Sequence, residues 1–359
     1  MFQSIELENL LSFKHVELEL KPLNVLIGAN ASGKSNLIRA FGLLRALPKD
    51  MSAEIAEGGG VRGWVNQKTR GTARLVVSFN SHSFSLYDIS FRETGQSYEI
   101  VKENCDHVFK REGAFSGKIT PLNRMSLTRS ILSEGRQQRD IASLSESLEE
   151  MRLYREFRTG PGSLARIGVS ASGFGEYLSE DGGNLAAVLS KMKLLGLEQR
   201  VNASLTRLFE DFSEIFAYPS GGIIQIYVRE KGMSTPVSGL GLSDGTLRWL
   251  CLLAVLLDPE PAPLVCLEEP EAGLHPDAIR MVAELLVEAS SRTQLIVTTH
   301  SPALVDALGS QPESVVVCER DFDGFTELKR LKSADLDEWL ARYSLGQLWQ
   351  KGEIGGNRW

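Results

Sequence analysis

The chain has 359 residues, 42% hydrophobic and 24% charged, enough to bury a sizeable core in two domains or in one domain with a large insertion. Its formal net charge of −7 argues against a protein that coats nucleic acid through an overall positive field. No run approaches the roughly 20 apolar residues of a membrane span, and the opening residues lack a basic lead into an apolar stretch, so the expected compartment is the cytoplasm, with reduced thiols and no membrane partner.

In chain order, Ile5 and Leu7, then Val16, Leu18 and Leu20, alternate with polar residues as two strands would, and Leu23 to Ile27 predicts a short, fully buried strand ending at Gly28. Leu37, Ile38, Phe41, Leu44 and Leu47 recur at helical spacing until Pro48. Residues 72–118 are rich in β-branched and aromatic residues and read as antiparallel strands. From about 141 to 217 the pattern turns helical, broken by a Gly/Ser-rich loop at 159–175, and strand character returns at Ile223 to Val228. Helices and strands alternate thereafter; Ser314 to Cys318 and Phe325 to Leu331 predict a hairpin turning at Asp321 to Gly324, in preference to a metal site on Glu319, Asp321 and Asp323. Cys105, Cys251, Cys266 and Cys318 are too scattered for a redox pair or metal site. The expected organisation is a split α/β core (residues 1–60 and 220–332), an antiparallel β lobe (61–120), a helical and loop insertion (121–219) and a helical tail (333–359).

Four short segments carry chemistry. Gly28-Ala29-Asn30-Ala31-Ser32-Gly33-Lys34-Ser35, followed by Asn36, fits a phosphate loop between a buried strand and an amphipathic helix. The glycines let successive N–H groups turn inward, Lys34 supplies a cation over the β- and γ-phosphates, and the Ser35 hydroxyl suits Mg²⁺. Leu264 to Glu269 is a buried strand ending in two acids: Glu268 suits the metal side, and Glu269 could orient and deprotonate a water beside the γ-phosphate. Gln294 to Ser301 is a second such strand, one helix downstream, so a parallel βαβ unit brings His300 to the same sheet edge, within reach of the γ-phosphate. Ser243 to Thr246 opens a helix with Ser243 as N-cap and Asp244 in its first turn, which alone means only a capped helix.

With these elements in this order, the chain resembles an ATPase of the ABC superclass. Leu267 to Pro276, Thr299 to Pro302, the opening Ile5 to Leu20, Ser243 to Arg248, Asp181 to Ala186 and the tail Leu340 to Gly356 resemble the RecF/OLD-like predicted bacterial AAA-type ATPases. The resemblance covers nearly the whole chain and implies an ABC-type P-loop head with a β-rich lobe and an inserted helical subdomain. It also implies that Ser243 and Gly245 belong to the signature that binds the γ-phosphate held by an opposite subunit. The sequence departs from relatives at Ala31, where many carry glycine, at Glu268, where most ABC proteins carry aspartate, and at Leu10 and Leu11 near the expected base site. A Q-loop is not placed; Gln137 and Gln138 lie near its expected region. The acid-strand wording differs from RecF itself, the long coiled coils of SMC proteins are absent, and too few residues follow His300 for the Toprim domain of an OLD nuclease.

The implied function is a Mg²⁺-dependent ATPase, ATP and Mg²⁺ being its ligands, that dimerises head-to-tail on ATP. It would act as a switch in DNA repair or phage defence with a separately encoded nuclease or other effector. A non-hydrolysing ATP-dependent clamp or sensor is the alternative, and a transporter motor fits the motifs poorly. DNA is a candidate partner through Arg124, Arg129, Arg136, Arg139, Arg152, Arg155, Arg158 and Arg166, although Glu134, Glu146, Glu149 and Glu150 would also suit an ordinary solvated face.

Overall fold

The segment Leu23–Ile27 has no polar side chain except Asn24, so it can be accommodated only where both its faces are covered. A computed structural model of the chain, describing residues 1–69, 71–80, 84–95, 97–111, 114–119, 128–135, 139–170 and 175–356, shows how this is done. Strands β1 (Phe2–Leu10) and β2 (Phe13–Glu19) form a hairpin, followed by the buried β3 (Leu23–Ile27) and the helix Lys34–Ala46. Next come β4 (Ala73–Asn80), β5 (Phe84–Thr94), β6 (Ser97–Arg111) and β7 (Ala114–Ile119), then β8 (Arg152–Tyr154) and β9 (Val169–Ser170). Helices Leu185–Leu194 and Glu198–Thr206 lead to β10 (Phe212–Ser220), β11 (Ile223–Glu230) and β12 (Val237–Ser238). Finally, β13 (Leu264–Glu268), β14 (Gln294–Thr298), β15 (Val315–Arg320) and β16 (Thr326–Arg330) alternate with the helices Asp244–Leu256 and Pro276–Ala289.

Three sheets result. The central one has the order β16-β15-β3-β14-β13-β8, parallel except for the edge strand β16. An antiparallel sheet, β2-β1-β4-β5-β6-β7, lies over one side, and β10, β11 and β12, with β9 beside β11, make a smaller one. Side chains alternate across the central sheet, so its two faces belong to two cores. Val25, Ile27, Val265, Leu267, Leu295 and Val297 pack with the helices Asp244–Leu256 and Pro276–Ala289. Leu26, Cys266, Ile296 and Val316 pack with the helix Lys34–Ala46 and the antiparallel sheet. The N-terminal hairpin therefore joins β4 in the antiparallel layer, and buried Gln294 ties it to the central sheet by pairing with both the N–H and the C=O of Phe2 at 2.9 Å.

The hairpin at the end of the core is present, with Asp321 accepting the Phe325 N–H in its turn at 2.8 Å. The largely helical reading of 141–217 is corrected at β8, at β9 and at β10, which begins at Phe212; β8 pairs parallel to β13 at the edge of the central sheet. Three residues are too few to show a period in the sequence; the neighbouring strand supplies the pattern. None of the four cysteines is joined in a disulfide, and all four are buried. No helix among the described residues is long and apolar enough to cross a membrane.

Ile296, fully buried at the middle of β14, locks the position of that strand between the two cores. Ile296→Ala is expected to cost about 2–5 kcal/mol in urea unfolding with an unchanged slope. A loss below about 1 kcal/mol would contradict the central, close-packed position of β14.

Candidate active site at the carboxyl edge of the central sheet

Register brings the site together. Glu268 lies level with Thr298, and Thr298 with Leu26, so the chain reversals after β13, β14 and β3 emerge side by side. This is the edge of a parallel sheet at which ligands are usually held.

The loop after β3 curls as phosphate chemistry requires. Gly28 has φ +151° and Gly33 has φ +115°, and neither could carry a side chain: a Cβ on Gly28 would lie 2.3 Å from Cys318 O, and one on Gly33 would lie 2.2 Å from Thr326 Oγ1. Ala31 adopts φ +60°, a left-handed conformation that costs an alanine about 1 kcal/mol. Its carbonyl accepts from Arg320 Nε at 2.7 Å, so the hairpin β15–β16 holds the loop from one side. Lys34 is almost fully buried and donates to the carbonyls of Gly28 (2.8 Å) and Ala29 (3.0 Å). Burial lowers its pKa, against the opposing pull of Cys318 and Glu269. The Ser32 hydroxyl is buried with no partner, an orphaned polar atom inside the loop. Asn30 and Ser35 are exposed and Ala29 half-buried. Asn36 turns elsewhere: its Nδ2 donates to Ser12 Oγ at 2.8 Å, in the β1–β2 turn.

Across from the loop, Glu268 meets the Ser35 hydroxyl. Burial raises the pKa of Glu268; the Ser35 hydrogen bond and Arg155 oppose this, while Glu269 adds to it. Ser35 and Glu268 are hard oxygen donors facing one another, a pair that fits a divalent cation such as Mg²⁺. Glu269 adopts φ +45°, unusual for a residue with a side chain, and is held there by donating its N–H to Thr298 O at 3.0 Å and Thr298 Oγ1 at 3.2 Å. His300 Nε2 lies 3.7 Å from Glu269 Oε1. Burial and then Lys34 lower the pKa of His300 despite Glu269 and Glu271, so the imidazole is neutral at pH 7.

Several residues that hold this edge were not given that role from sequence. Glu271 Oε1 accepts from Thr299 Oγ1 at 2.5 Å and from the His300 N–H at 3.0 Å, fixing the turn that presents the imidazole. Arg155 follows β8, and its Nε lies 3.7 Å from Glu268 Oε1. Arg166 is a buried clamp rather than part of a DNA-facing surface: its guanidinium meets the carbonyls of Thr159, Gly239, Leu240 and Leu242 and the carboxylate of Asp244. Arg152 stacks over Tyr177. Arg124 and Arg136, like Gln137 and Gln138, lie outside the described residues, as does the side chain of Arg139. The paired carboxylates and the strand before them were readable locally; these arginines act on partners distant in sequence, and only their charge was visible.

Ser243 caps its helix, accepting the Thr246 N–H at 3.1 Å, and is exposed. Gly245 packs so that a Cβ would lie 3.1 Å from Gly273 O. Among the described residues, no hydrogen bond or ion pair joins this turn to the phosphate loop of the same chain; its partners are Arg166 and the segment after β13.

From residue 23 to residue 306 the sequence matches the family described as "AAA domain, putative AbiEii toxin, Type IV TA system". The chain belongs to that AAA-domain family. It is similar to the Old nuclease of Escherichia phage P2, with 23% identity over 85% of this chain and 57% of the relative. It is also similar to the OLD nuclease of Thermus scotoductus, with 21% identity over 96% of this chain and 68% of the relative. The chain thus spans little more than half the length of the phage protein. Among solved structures, an Smc head bound to the C-winged helix domain of ScpA overlays with a TM-score of 0.59 at 14% identity, covering 94% of this chain and 99% of that one, a likeness of fold. The chain accordingly has the fold of an ABC-type P-loop head, and its sequence is related to the OLD nucleases.

Arg166→Met keeps the aliphatic stem but strands several carbonyls; it should destabilise the fold by roughly 2–4 kcal/mol in urea. A neutral result would show that the Ser243 turn does not depend on this clamp. Glu268, with its raised pKa, binds a proton more readily in the folded chain, so its contribution to stability is present at low pH and is lost as pH rises above the ordinary carboxylate value of 4.5 through the folded value. At pH 7, without nucleotide, Glu268→Gln should therefore raise the melting temperature; a fall would mean the carboxylate stabilises the free protein.

Proposed function

We propose that this chain is a Mg²⁺-dependent ATP hydrolase whose two sites are completed when two copies meet head-to-tail, and that the ATP cycle opens and closes the pair. The observation that carries this reading is the convergence of Lys34, Ser35, Glu268, Glu269 and His300 at one sheet edge. An anion in the loop would give Lys34 a stronger acceptor than the carbonyls of Gly28 and Ala29, and would give the Ser32 hydroxyl a partner. Mg²⁺ held by Ser35 and Glu268 would neutralise charge on the phosphate oxygens.

Glu269 is the general base in this scheme. Its carboxylate is half exposed, so water can approach it, while its backbone is fixed by Thr298. His300, neutral and steadied by Glu271, would donate a hydrogen bond to the γ-phosphate and register its presence. Ser243 and Gly245 would close over the γ-phosphate of the opposite subunit, a role supported by their exposure and by their separation from the phosphate loop of their own chain. Hydrolysis then removes the group that holds the two subunits together.

The output is proposed to be a DNA-related process, genome maintenance or phage defence, exerted through a separate effector such as a nuclease. The relatives named as nucleases support that direction.

Three variants test the scheme. Lys34→Ala should abolish binding of a fluorescent ATP analogue. Glu269→Gln should lower turnover by about 10²–10⁴-fold while ATP-loaded dimers accumulate in sedimentation velocity runs. Ser243→Arg should leave ATP binding intact but prevent that dimer. Parent-like turnover in the Glu269 variant would remove the general-base assignment, and an unaltered ATP-dependent dimer in the Ser243 variant would remove the shared site.

A further inference from the structure

Arg155 occupies a position that the scheme above leaves without a task. Parallel pairing of β8 with β13 sets Tyr154 level with Leu267, so the next residues, Arg155 and Glu268, lie side by side at the sheet edge. The Arg155 guanidinium stands between two acids, with Nε 3.7 Å from Glu268 Oε1 and Nη2 3.6 Å from Glu54 Oε1. It also lines a cavity of about 270 Å³ with Glu268, Glu269 and Arg248. Of the two oxygen donors suited to a divalent cation, one is thus already engaged by a cation of the protein's own, through a loose contact that is half exposed to solvent.

We propose that Arg155 is a built-in competitor for Mg²⁺ at Glu268, holding the carboxylate until the metal displaces it and then falling back on Glu54. The inference rests on the reading of Ser35 and Glu268 as the metal side of the site. Its consequence reaches beyond that site. Arg155 begins the strap, residues 155–168, whose other end carries Arg166, the clamp on the Ser243 turn. Exchange of Arg155 for Mg²⁺ frees the near end of the strap that supports the surface offered to the second subunit. Arg155 is a positioning residue, and Glu54 sets how readily it lets go.

The two acids predict shifts of opposite sign, which a merely structural role does not. In the full-length protein, binding of a fluorescent ATP analogue is titrated against Mg²⁺ at fixed analogue concentration. Arg155→Gln removes the competitor and should lower the Mg²⁺ midpoint roughly two- to fivefold, the range of a partly exposed ion pair. Arg155→Lys should return it toward the parent value. Glu54→Gln leaves Arg155, among the described residues, with Glu268 as its remaining ion-pair partner and should raise the midpoint. Urea unfolding of each variant separates these shifts from loss of fold. An unchanged or raised midpoint in Arg155→Gln, or shifts of the same sign in Arg155→Gln and Glu54→Gln, overturns the competitor role while leaving the ATPase scheme intact. Failure of the parent protein to bind the analogue in a Mg²⁺-dependent way overturns both.

Discussion

The parallel register of the central sheet is the constraint on which the rest of the structure depends. Side chains in a strand alternate faces with a period of two, so a one-residue slip of β13 against β14 would turn Cys266 and Leu267 to the wrong cores and move Glu268 from the sheet edge. The two cores forbid that slip. Val265 and Leu267 are committed to one and Cys266 to the other, and β3 and β14 divide their side chains in the same way. Functional geometry at the edge is therefore fixed by apolar packing some distance behind it. The polar groups themselves contribute little to that precision.

Those polar groups are, if anything, a local burden. Burial lowers the pKa of Lys34 and raises that of Glu268, Ala31 and Glu269 sit at positive φ, and the buried atoms Ser32 Oγ and Glu271 Oε2 lack partners. Unfavourable features concentrated in one place, within a chain otherwise closely packed, are what a site built for a charged ligand requires. The same concentration explains why the site is held by so many secondary contacts. Thr298 fixes Glu269, Glu271 fixes the His300 turn, and Arg320 and Thr326 brace the phosphate loop from the last hairpin.

Most of the site was legible because each of its parts is written in a short continuous segment: a buried strand, a polar reversal and the start of a helix. Gly28 to Ser35, Glu268-Glu269 and His300 all follow that grammar, and βαβ handedness then sets them at one edge. Residues whose meaning depends on distant pairing were not legible. β8 has three residues and no period of its own, so Arg155 could not be set beside Glu268. Arg166 looked like surface because arginine composition points outward, yet four backbone carbonyls and Asp244 draw it inside. Gln294 read as the first polar residue of a strand; in the fold it docks the N-terminal hairpin onto the core.

One structural link gives the proposed pairing of subunits its reach. The Ser243 turn touches the segment that follows the acid strand of its own chain: Gly245 lies against Gly273, and Arg248 donates to Ala272 O at 3.1 Å. That segment starts at Glu269, whose backbone is pinned by the strand that ends before His300. The surface that the proposed pairing would use is thus continuous with the groups that would face the chain's own nucleotide. Coupling between two such sites needs no long lever, because a shift at Glu269 has only the few residues from Pro270 to Gly273 to cross before it reaches the turn that would close on the other subunit. In a fold whose central sheet admits no register slip, those few residues, together with the Arg166 clamp on the opposite side of the turn, are where movement between the sites can be carried.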